Sequence, residues 1–396
     1  MPKYVRSQRY FSSFCLSFFL LCERKRTTNK KKKSTAANEH IWALRKPSIL
    51  EMEMQTIILD QPGQFRLTST AVPEVPGPGE ALVRVHRVGI CGTDLHAFRG
   101  TQPFFSYPRI LGHELGVEVL AIDPATRDTP ITIGDRCSVE PYLHCGTCGA
   151  CKRGRQNCCV RLQVLGVHID GGMREYISVP IAKLHRSASL SYEQLALVET
   201  LAIGAHAVQR AQIEPGEWTL VIGAGPIGLA TMQFAQLAGA HVNALDVNAE
   251  RLEFCRARGL AAHTINGHAD SLAALQELTG GELATAVFDA TGNLPSMARA
   301  FEYLAHAGRL TFVGLAQGDV SFHDPSFHRR EITILASRNA LPADFSRIIS
   351  QIEAGAIDTQ PWITHHADGA TMIEIFATWL RPETGVIKAM LVMPDA

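Results

Sequence analysis

One stretch, WTLVIGAGPIGLATMQFAQLAGAHVNALDV at residues 218–247, restricts the possible folds more than any other. An apolar segment typical of a buried strand runs into a glycine-rich turn, a helix with an apolar face and a second strand. Gly223 permits the tight turn, Gly225 lets the backbone approach a pyrophosphate, and Gly228 lets helix and strand pack closely. The pattern therefore predicts a β-α-β unit that binds a dinucleotide at the N-terminus of its helix.

An acidic residue ends the second strand of this unit. Asp246 lies where a carboxylate can accept hydrogen bonds from both ribose hydroxyls, and its charge repels a 2′-phosphate. The sequence therefore favours NAD over NADP, although Arg251 nearby keeps NADP possible. Asp289, at the end of the strand in ATAVFDATG, is interpreted as a residue that caps a turn and not as a ligand contact.

Strands and helices alternate after residue 205, which predicts a doubly wound parallel sheet with right-handed crossovers. Earlier residues show short alternating strands and many Pro and Gly turns, which indicates a separate β-rich domain. KAMLVMPD near the end is interpreted as a strand that returns to that domain. We expect an α/β protein with an extension (1–51), a β-rich domain (52–204), a nucleotide-binding domain (205–337) and a return to the β-rich domain (338–396).

Charge is distributed unevenly along the chain. Residues 1–50 hold 12 Lys and Arg against 2 Asp and Glu, so the remainder has 26 against 36 and is mildly acidic. The acidic remainder gives no indication of a nucleic-acid surface, so we expect no nucleic-acid partner. The apolar run FSSFCLSFFLLC is too short to span a membrane. We expect residues 1–51 to be a start-site artefact, with translation beginning at Met52 or Met54. A basic tail or a cleaved export signal are the alternatives.

Five of the ten cysteines fall within residues 145–159, which indicates metal binding in a reducing compartment and not disulfides. In CGTCGACKRGRQNCC, Cys145, Cys148, Cys151 and Cys159 have the spacing of a closed tetrahedral thiolate site, which suits a structural zinc ion. An iron–sulfur cluster or free thiols are the alternatives. We expect the fifth cysteine, Cys158, to point away from the site, and the protein to be cytoplasmic.

A second candidate metal site combines two motifs. ILGHELGVEV places His113 beside Glu114 in an apolar segment, and VGICGTDLHAF supplies Cys91 upstream. A cysteine, a histidine and a carboxylate are hard to bury separately, but one zinc ion can bind all three and leave a fourth position for water or substrate. The sequence therefore predicts two zinc ions per subunit, one structural and one catalytic.

These motifs occur in the order found in the zinc-dependent medium-chain dehydrogenases, the alcohol, sorbitol and threonine dehydrogenase group, which the chain resembles over nearly all of residues 55–396. The resemblance implies a GroES-like catalytic domain and a Rossmann NAD-binding domain, and a homodimer or homotetramer. It further implies that Cys91, His113 and Glu114 bind the catalytic zinc and that Glu199 lies near it, directly or through water. Thr93 and His96 match the relay that carries the alcohol proton to solvent.

This resemblance agrees with the chemistry of the candidate residues. A zinc-bound alcohol becomes an alkoxide near neutral pH and transfers hydride to the nicotinamide. GTQPFFSYPRILGHE and ASRNALPADF resemble the L-galactonate and L-gulonate 5-dehydrogenase branch, which implies a polyol or sugar-acid substrate. Arg338 is expected to contact a cofactor phosphate or a substrate carboxylate, with a structural contact at the domain junction as the alternative. The alternatives are another dehydrogenase of the family, of the threonine or aromatic-alcohol type, and a non-catalytic nucleotide-binding structural protein.

Overall fold

The computed structural model describes residues 53–73, 76–103 and 105–394. The predicted extension at 1–51 and the alternative start at Met52 lie outside these residues. The strands are β1 (Glu53–Gln61), β2 (Gln64–Ala71), β3 (Glu80–Ile90), β4 (Glu114–Ile122), β5 (Arg136–Val139), β6 (Tyr142–Leu143), β7 (Gln163–Val164), β8 (Tyr176–Pro180), β9 (Leu184–Ser187), β10 (Trp218–Ile222), β11 (His241–Asp246), β12 (His263–Asn266), β13 (Ala284–Asp289), β14 (Leu304–Phe312), β15 (Thr333–Ala336), β16 (Ile363–Ala367) and β17 (Lys388–Val392).

The α-helices connect these strands or pack on the sheets. They are α1 (Gly92–Arg99), α2 (Gly149–Lys152), α3 (Tyr192–Ala211), α4 (Pro226–Leu237), α5 (Ala249–Ala257), α6 (Ser271–Leu278), α7 (Leu294–Arg299), α8 (Asp324–Arg329), α9 (Pro342–Glu353) and α10 (Gly369–Ile375). Among the described residues, no helix combines the length and the apolar character needed to cross a membrane.

The predicted parallel sheet is confirmed. Its six strands lie in the order β12-β11-β10-β13-β14-β15, and all neighbouring pairs are parallel. The order reverses beside β10, so the carboxyl ends of β10 and β13 border the crevice in which such sheets bind ligands. Strands β10 and β13 read as continuous apolar runs because helices cover both faces of the sheet.

The β-rich part forms a second sheet in the order β16-β17-β3-β4-β5-β9, with β8 also paired to β3. The strand predicted from KAMLVMPD is present as β17, and it pairs antiparallel with β3, with Ala389 opposite Ile90. Strand β4 begins at Glu114, which lies opposite Gly89 of β3, so this pairing brings the Cys91 motif beside the motif of His113 and Glu114. This pairing positions the candidate site.

Helix α3 belongs to both halves of the molecule. It packs against α4 and α9 on one side and against β3, β4 and β5 on the other. Its N-terminus is capped by Ser191, whose side chain accepts a hydrogen bond from the amide of Gln194 at 3.2 Å. The predicted boundary between residues 204 and 205 falls inside this continuous helix. The helix has apolar residues on both sides, so it can pack in both cores.

Candidate active site

The four-cysteine cluster of Cys145, Cys148, Cys151 and Cys159 is compact. Its sulfur atoms all lie within 4.8 Å of one another, and the Cys145–Cys159 separation is 3.4 Å. Backbone amides of Cys145 and Cys148 donate to sulfur atoms of the cluster at 3.3 and 3.4 Å. Cys158 is exposed and is not a member of this cluster. The tight turns of this segment thus supply a closed set of four soft donors without an open position.

The charge balance of the four-cysteine cluster suits a divalent cation. Hydrogen bonding from Arg161 and nearby backbone amides lowers the pKa of Cys145 to about 4, whereas desolvation and neighbouring thiols raise the pKa of Cys151 to about 12. The thiols cannot all ionise side by side unless a cation compensates their charge. Zinc, which binds four thiolates tetrahedrally, fits this donor set.

The second cluster joins three donors from two segments of the β-rich part. The sulfur of Cys91, at the N-cap of α1, lies within 4.8 Å of donor atoms of His113 and Glu114, and the latter two also lie within that distance of each other. His113 and Glu114 are buried, and Cys91 is half-buried. The three donors have the identity and number expected for a catalytic zinc site that leaves a fourth position open.

Asp94, which the sequence analysis missed, connects α1 to this cluster. One of its carboxylate oxygens accepts a hydrogen bond from the Cys91 amide at 2.9 Å, and the other faces Nδ1 of His113 at 3.8 Å. Both of these facing atoms are buried and lack a hydrogen-bond partner among the described residues. A metal-binding histidine usually directs its second ring nitrogen towards a carboxylate, so the arrangement fits a metal on Nε2 of His113.

Lys388, on β17, was also missed. Its ammonium donates to both carboxylate oxygens of Glu114 at 2.8 Å and to the carbonyl of Ile90 at 3.2 Å. Burial alone would raise the pKa of Glu114, but the charges of Lys388 and His113 lower it below its usual value. Glu114 is therefore held ionised by a buried lysine while it lies among the candidate metal donors.

Glu199 lies outside the compact group formed by Cys91, His113 and Glu114. It is buried on α3, and its carboxylate accepts a hydrogen bond from the hydroxyl of Tyr142. Burial raises the pKa of Glu199, while the charge of His113 opposes the rise. Burial and the negative charge of Glu199 both raise the pKa of Tyr142, which keeps that hydroxyl protonated as a donor.

Thr93 and His96 follow Cys91 on α1 and are three residues apart, so they lie on neighbouring positions of one helix face. His96 is exposed, and its Nδ1 lies 3.3 Å from the hydroxyl of Thr101. Partial desolvation and the charge of Arg99 lower the pKa of His96 below its usual value. The ring is therefore neutral at physiological pH and able to accept a proton.

The glycine-rich turn has the geometry predicted from its sequence. Gly223 has a φ of +98°, which side chains rarely tolerate, and a Cβ on Gly228 would lie 1.7 Å from the carbonyl oxygen of Gly223. Gly225 is the N-cap of α4, so the first amides of the helix point out of the turn. These features leave room for a pyrophosphate at the helix N-terminus.

The carboxylate of Asp246 lies beside this turn. It accepts hydrogen bonds from the amides of Ala224 at 2.6 Å and Asn248 at 2.8 Å. Arg251 donates to the carbonyl oxygens of Ala224 at 3.2 Å and Val386 at 2.6 Å. Its guanidinium thus joins the glycine-rich turn to the C-terminal segment.

Asp289 is confirmed as a capping residue. It is fully buried, and one of its oxygens accepts hydrogen bonds from the amide and the hydroxyl of Thr291 at 2.9 and 2.6 Å. Arg338, in contrast, has an exposed side chain on the turn between β15 and α9. The structure places it near the four-cysteine cluster, because its carbonyl accepts a hydrogen bond from Asn157 at 2.8 Å.

Comparison with protein families agrees with this geometry. Residues 77–189 match the alcohol dehydrogenase GroES-like domain, and residues 226–354 match the zinc-binding dehydrogenase domain. L-galactonate-5-dehydrogenase of Escherichia coli K12 is 42% identical over 339 residues, which cover 85% of this chain and 98% of that protein. The chain belongs to the zinc-type medium-chain alcohol dehydrogenase family. It is therefore an oxidoreductase that acts on CH–OH donors.

Three further proteins to which the chain is similar extend the comparison. Sorbitol dehydrogenase of Bacillus subtilis is 31% identical, with 78% of this chain and 89% of that enzyme covered. An alcohol dehydrogenase from Escherichia coli CFT073 complexed with NADH has a TM-score of 0.80 at 28% identity, covering 86% of this chain and 99% of the other. A zinc-binding dehydrogenase from Sinorhizobium meliloti bound to NADP has a TM-score of 0.79 at 27% identity, covering 86% and 100%.

Proposed function

We propose that this dehydrogenase oxidises a secondary hydroxyl of a sugar acid or polyol with NAD, at a zinc ion held by Cys91, His113 and Glu114. The observation that carries the proposal is the convergence of these three donors, with Asp94 facing the free nitrogen of His113. When bound, zinc acidifies the substrate hydroxyl and NAD accepts the hydride. The four-cysteine cluster is proposed to hold a second, structural zinc ion.

The chain's own residues orient the reactants and move the proton. Thr93 donates or accepts at the substrate hydroxyl, and His96 accepts the released proton at a neutral ring nitrogen and passes it to solvent. Glu199 adds negative charge behind the open position and fixes the hydroxyl of Tyr142. Lys388 keeps the Glu114 carboxylate ionised when no metal ion is bound.

NAD is proposed over NADP on the charges around the ribose. Asp246 places a carboxylate beside the turn, where a 2′-phosphate would be repelled. Arg251 is the nearby cation that could bind a 2′-phosphate, but its guanidinium already donates to the backbone carbonyls of Ala224 and Val386. The pyrophosphate would lie against Gly223, Gly225 and Gly228, and Arg338 has two candidate ligands, a cofactor phosphate or a substrate carboxylate.

The test is a substrate panel on zinc-loaded protein. L-galactonate, L-gulonate, sorbitol, threonine and simple alcohols are each assayed with NAD and with NADP, and zinc per subunit is measured in parallel. We expect the highest kcat/KM for a sugar acid or polyol with NAD. A Cys91→Ser variant should lose almost all turnover of every substrate in the panel. Best turnover of short apolar alcohols would contradict the proposed substrate class, and a preference for threonine would favour the alternative branch.

A non-catalytic nucleotide-binding role would leave the whole panel without turnover despite tight NAD binding. The remaining predictions are a homodimer or homotetramer, to be measured by light scattering, and a cytoplasmic location. The division at residues 52–204, 205–337 and 338–396 is likewise proposed, with limited proteolysis as its test.

A further inference from the structure

Arg251, in the first turn of α5, joins the nucleotide-binding half of the molecule to the β-rich half. Its Nη1 donates to the carbonyl of Ala224 in the glycine-rich turn at 3.2 Å, and its Nη2 donates to the carbonyl of Val386 at 2.6 Å. Val386 packs against the core of the β-rich part, just before β17. One half-buried guanidinium therefore connects the glycine-rich turn to the C-terminal segment.

The turn at this end of the connection is held from both sides. The amide of Ala224 donates to a carboxylate oxygen of Asp246 at 2.6 Å, while its carbonyl accepts from Arg251. Ala224 is only 1% exposed, and a Cβ on Gly225, the N-cap of α4, would lie 3.9 Å from Nη1 of Arg251. The guanidinium thus lies beside the helix N-terminus that suits a pyrophosphate, so a dinucleotide that orders the turn also orders Arg251.

The C-terminal segment reaches the metal donors within two residues. Lys388 lies two positions after Val386. Its ammonium donates to both carboxylate oxygens of Glu114 at 2.8 Å and to the carbonyl of Ile90 at 3.2 Å. Ile90 directly precedes Cys91, so this buried ammonium contacts both segments that supply the candidate zinc ligands. The start of β17 therefore influences how these two segments lie relative to each other.

Thr364, on β16, holds the short chain between these two contacts. Its hydroxyl accepts a hydrogen bond from the amide of Ile387 at 3.0 Å and donates to the carbonyl of Lys388 at 3.3 Å. Strand pairing also fixes this segment, since β17 lies between β16 and β3. The chain from Val386 to Lys388 thus has little freedom, and a displacement at one contact is transmitted to the other.

We propose that Arg251 is a positioning residue that couples binding of NAD or NADH to binding of the catalytic zinc ion. The dinucleotide orders the glycine-rich turn, Arg251 and Val386 carry that order to the start of β17, and Lys388 fixes the orientation of Glu114. Zinc then binds donors that the cofactor has already ordered, so each ligand strengthens binding of the other. This inference rests on the proposed function, because it uses the same cofactor and metal sites.

The contact between Lys388 and Glu114 is compatible with a bound metal ion. An ionised carboxylate has about four lone-pair directions, so Glu114 can accept hydrogen bonds from the ammonium and still bind zinc. A guanidinium likewise has more N–H groups than two carbonyl contacts use, so Arg251 can keep both contacts when the cofactor binds. If a cofactor phosphate instead drew the guanidinium away from Val386, the connection would break and NADH would weaken zinc binding.

The test measures the affinity for zinc with and without NADH. Competition with a chelator gives the Kd of the zinc site that is lost in Cys91→Ala, first without cofactor and then at saturating NADH. The ratio of the two Kd values is compared in wild type, Arg251→Met, Arg251→Lys and Thr364→Val. Arg256→Met, which removes an exposed arginine from the same helix, is the matched control.

In wild type, NADH should tighten zinc binding about five- to fiftyfold, within the usual range of coupling between two sites. Arg251→Met should abolish this effect, because neither carbonyl then has its donor. Arg251→Lys keeps the charge beside the turn but lacks the planar fork that spans two carbonyls. The coupling should therefore be lost in Arg251→Lys as well, while its affinity for NADH falls less. Arg256→Met should keep the wild-type ratio.

Thr364→Val separates the coupling from a direct loss of cofactor binding, because Thr364 contacts neither the glycine-rich turn nor the candidate zinc donors through its hydrogen bonds. It should reduce the coupling about two- to tenfold, the effect of loosening one hydrogen-bonded contact. The affinity of zinc-free protein for NADH should be unchanged. Zinc should also raise the affinity for NADH by the same factor as NADH raises that for zinc, since the four equilibria form a cycle.

A wild-type affinity for zinc that NADH does not alter, or a ratio that Arg251→Met and Arg251→Lys both leave unchanged, would overturn the coupling. Weaker zinc binding with NADH would also overturn it and would show that the cofactor draws Arg251 from Val386. If zinc and NADH bind independently while a sugar acid or polyol is oxidised, the reaction stands and the coupling is wrong. If no zinc site depends on Cys91, the proposed function itself is wrong.

Discussion

The two donor clusters are built in opposite ways. The four-cysteine cluster comes from one short segment, residues 145–159, and is closed by turns and by its own backbone amides. The cluster of Cys91, His113 and Glu114 needs the junction of β3 and α1, the start of β4, and the pairing of β3 with β4. Its buried counter-charge, Lys388, lies 274 residues from Glu114 in the chain.

This difference has a chemical consequence. Four equivalent thiolates satisfy a zinc ion completely, so the local cluster can only stabilise its segment. Three unlike donors assembled by tertiary structure leave a position open and place charged groups around it, here Asp94, Glu199 and Lys388. Reactivity therefore depends on the distant contacts, and stability of the segment depends on the local ones.

The largest expected effect separates the two clusters by metal content. Cys91→Ala should reduce zinc from two ions per subunit to one and lower kcat/KM by about 10³-fold or more, since the Lewis acid contributes several kcal/mol. Zinc is measured by mass spectrometry of acid-digested protein, beside NAD reduction. One zinc ion in wild type, unchanged by the substitution, would show that His113 and Glu114 do not bind metal.

The Lys388→Met variant tests whether Glu114 is a metal ligand or only the ion-pair partner of Lys388. Removing the buried ammonium leaves a buried carboxylate without its cation, so zinc-free protein should lose about 3–5 kcal/mol of unfolding free energy. Zinc can replace that charge if Glu114 is a ligand, so zinc addition should raise the Tm more in this variant than in wild type. Lys388→Arg is the charge-preserving control.

An equal zinc-induced rise in Tm for Lys388→Met and wild type would contradict a contact between Glu114 and the metal. In that case the carboxylate would serve only as the partner of Lys388. The comparison is made by calorimetry on protein stripped with a chelator and then reloaded, with both forms checked for zinc content.

Breaking the local cluster should affect stability first. Cys159→Ala removes one of four thiolates, and the Tm should fall by about 5–10 °C as the segment loses its metal. Cys158→Ala is an adjacent control, since this thiol is exposed and should change the Tm by less than about 1 °C. Equal effects of the two substitutions would argue against a metal in the cluster.

The sequence predicts local features well and distant ones poorly. The glycine-rich turn, the thiolate spacing and the capping role of Asp289 are encoded within a few residues, and each has the expected geometry. Asp94 lay within the motif CGTD and could have been found as the capping residue three positions after Cys91. Lys388 could not be predicted from the local sequence, because only the pairing of β17 with β3 brings it to Glu114.

Glu199 was expected near the metal because of the family resemblance alone. Its hydrogen bond to Tyr142 depends on tertiary packing and could not be predicted from the sequence.

The smallest expected effect is a shift in the pH dependence of kcat/KM. The catalytic cluster must exchange protons with solvent, whereas the four-cysteine cluster has no such requirement. His96 accepts a proton only when neutral, so kcat/KM should fall as the pH drops through its pKa. Partial desolvation and the charge of Arg99 hold that pKa below its usual value. Arg99→Gln removes the charge, so the pKa should rise and the acid limb of the pH profile should move to higher pH.

High salt should move the wild-type limb in the same direction by screening Arg99, and should have little effect on the Arg99→Gln variant. His96→Gln should abolish the limb and lower the rate at neutral pH by about 10²-fold, the contribution of a positioned general base. Arg329→Gln, an exposed change on α8, is the control for net charge. A limb that stays in place in Arg99→Gln and persists in His96→Gln would assign proton transfer to a group other than His96.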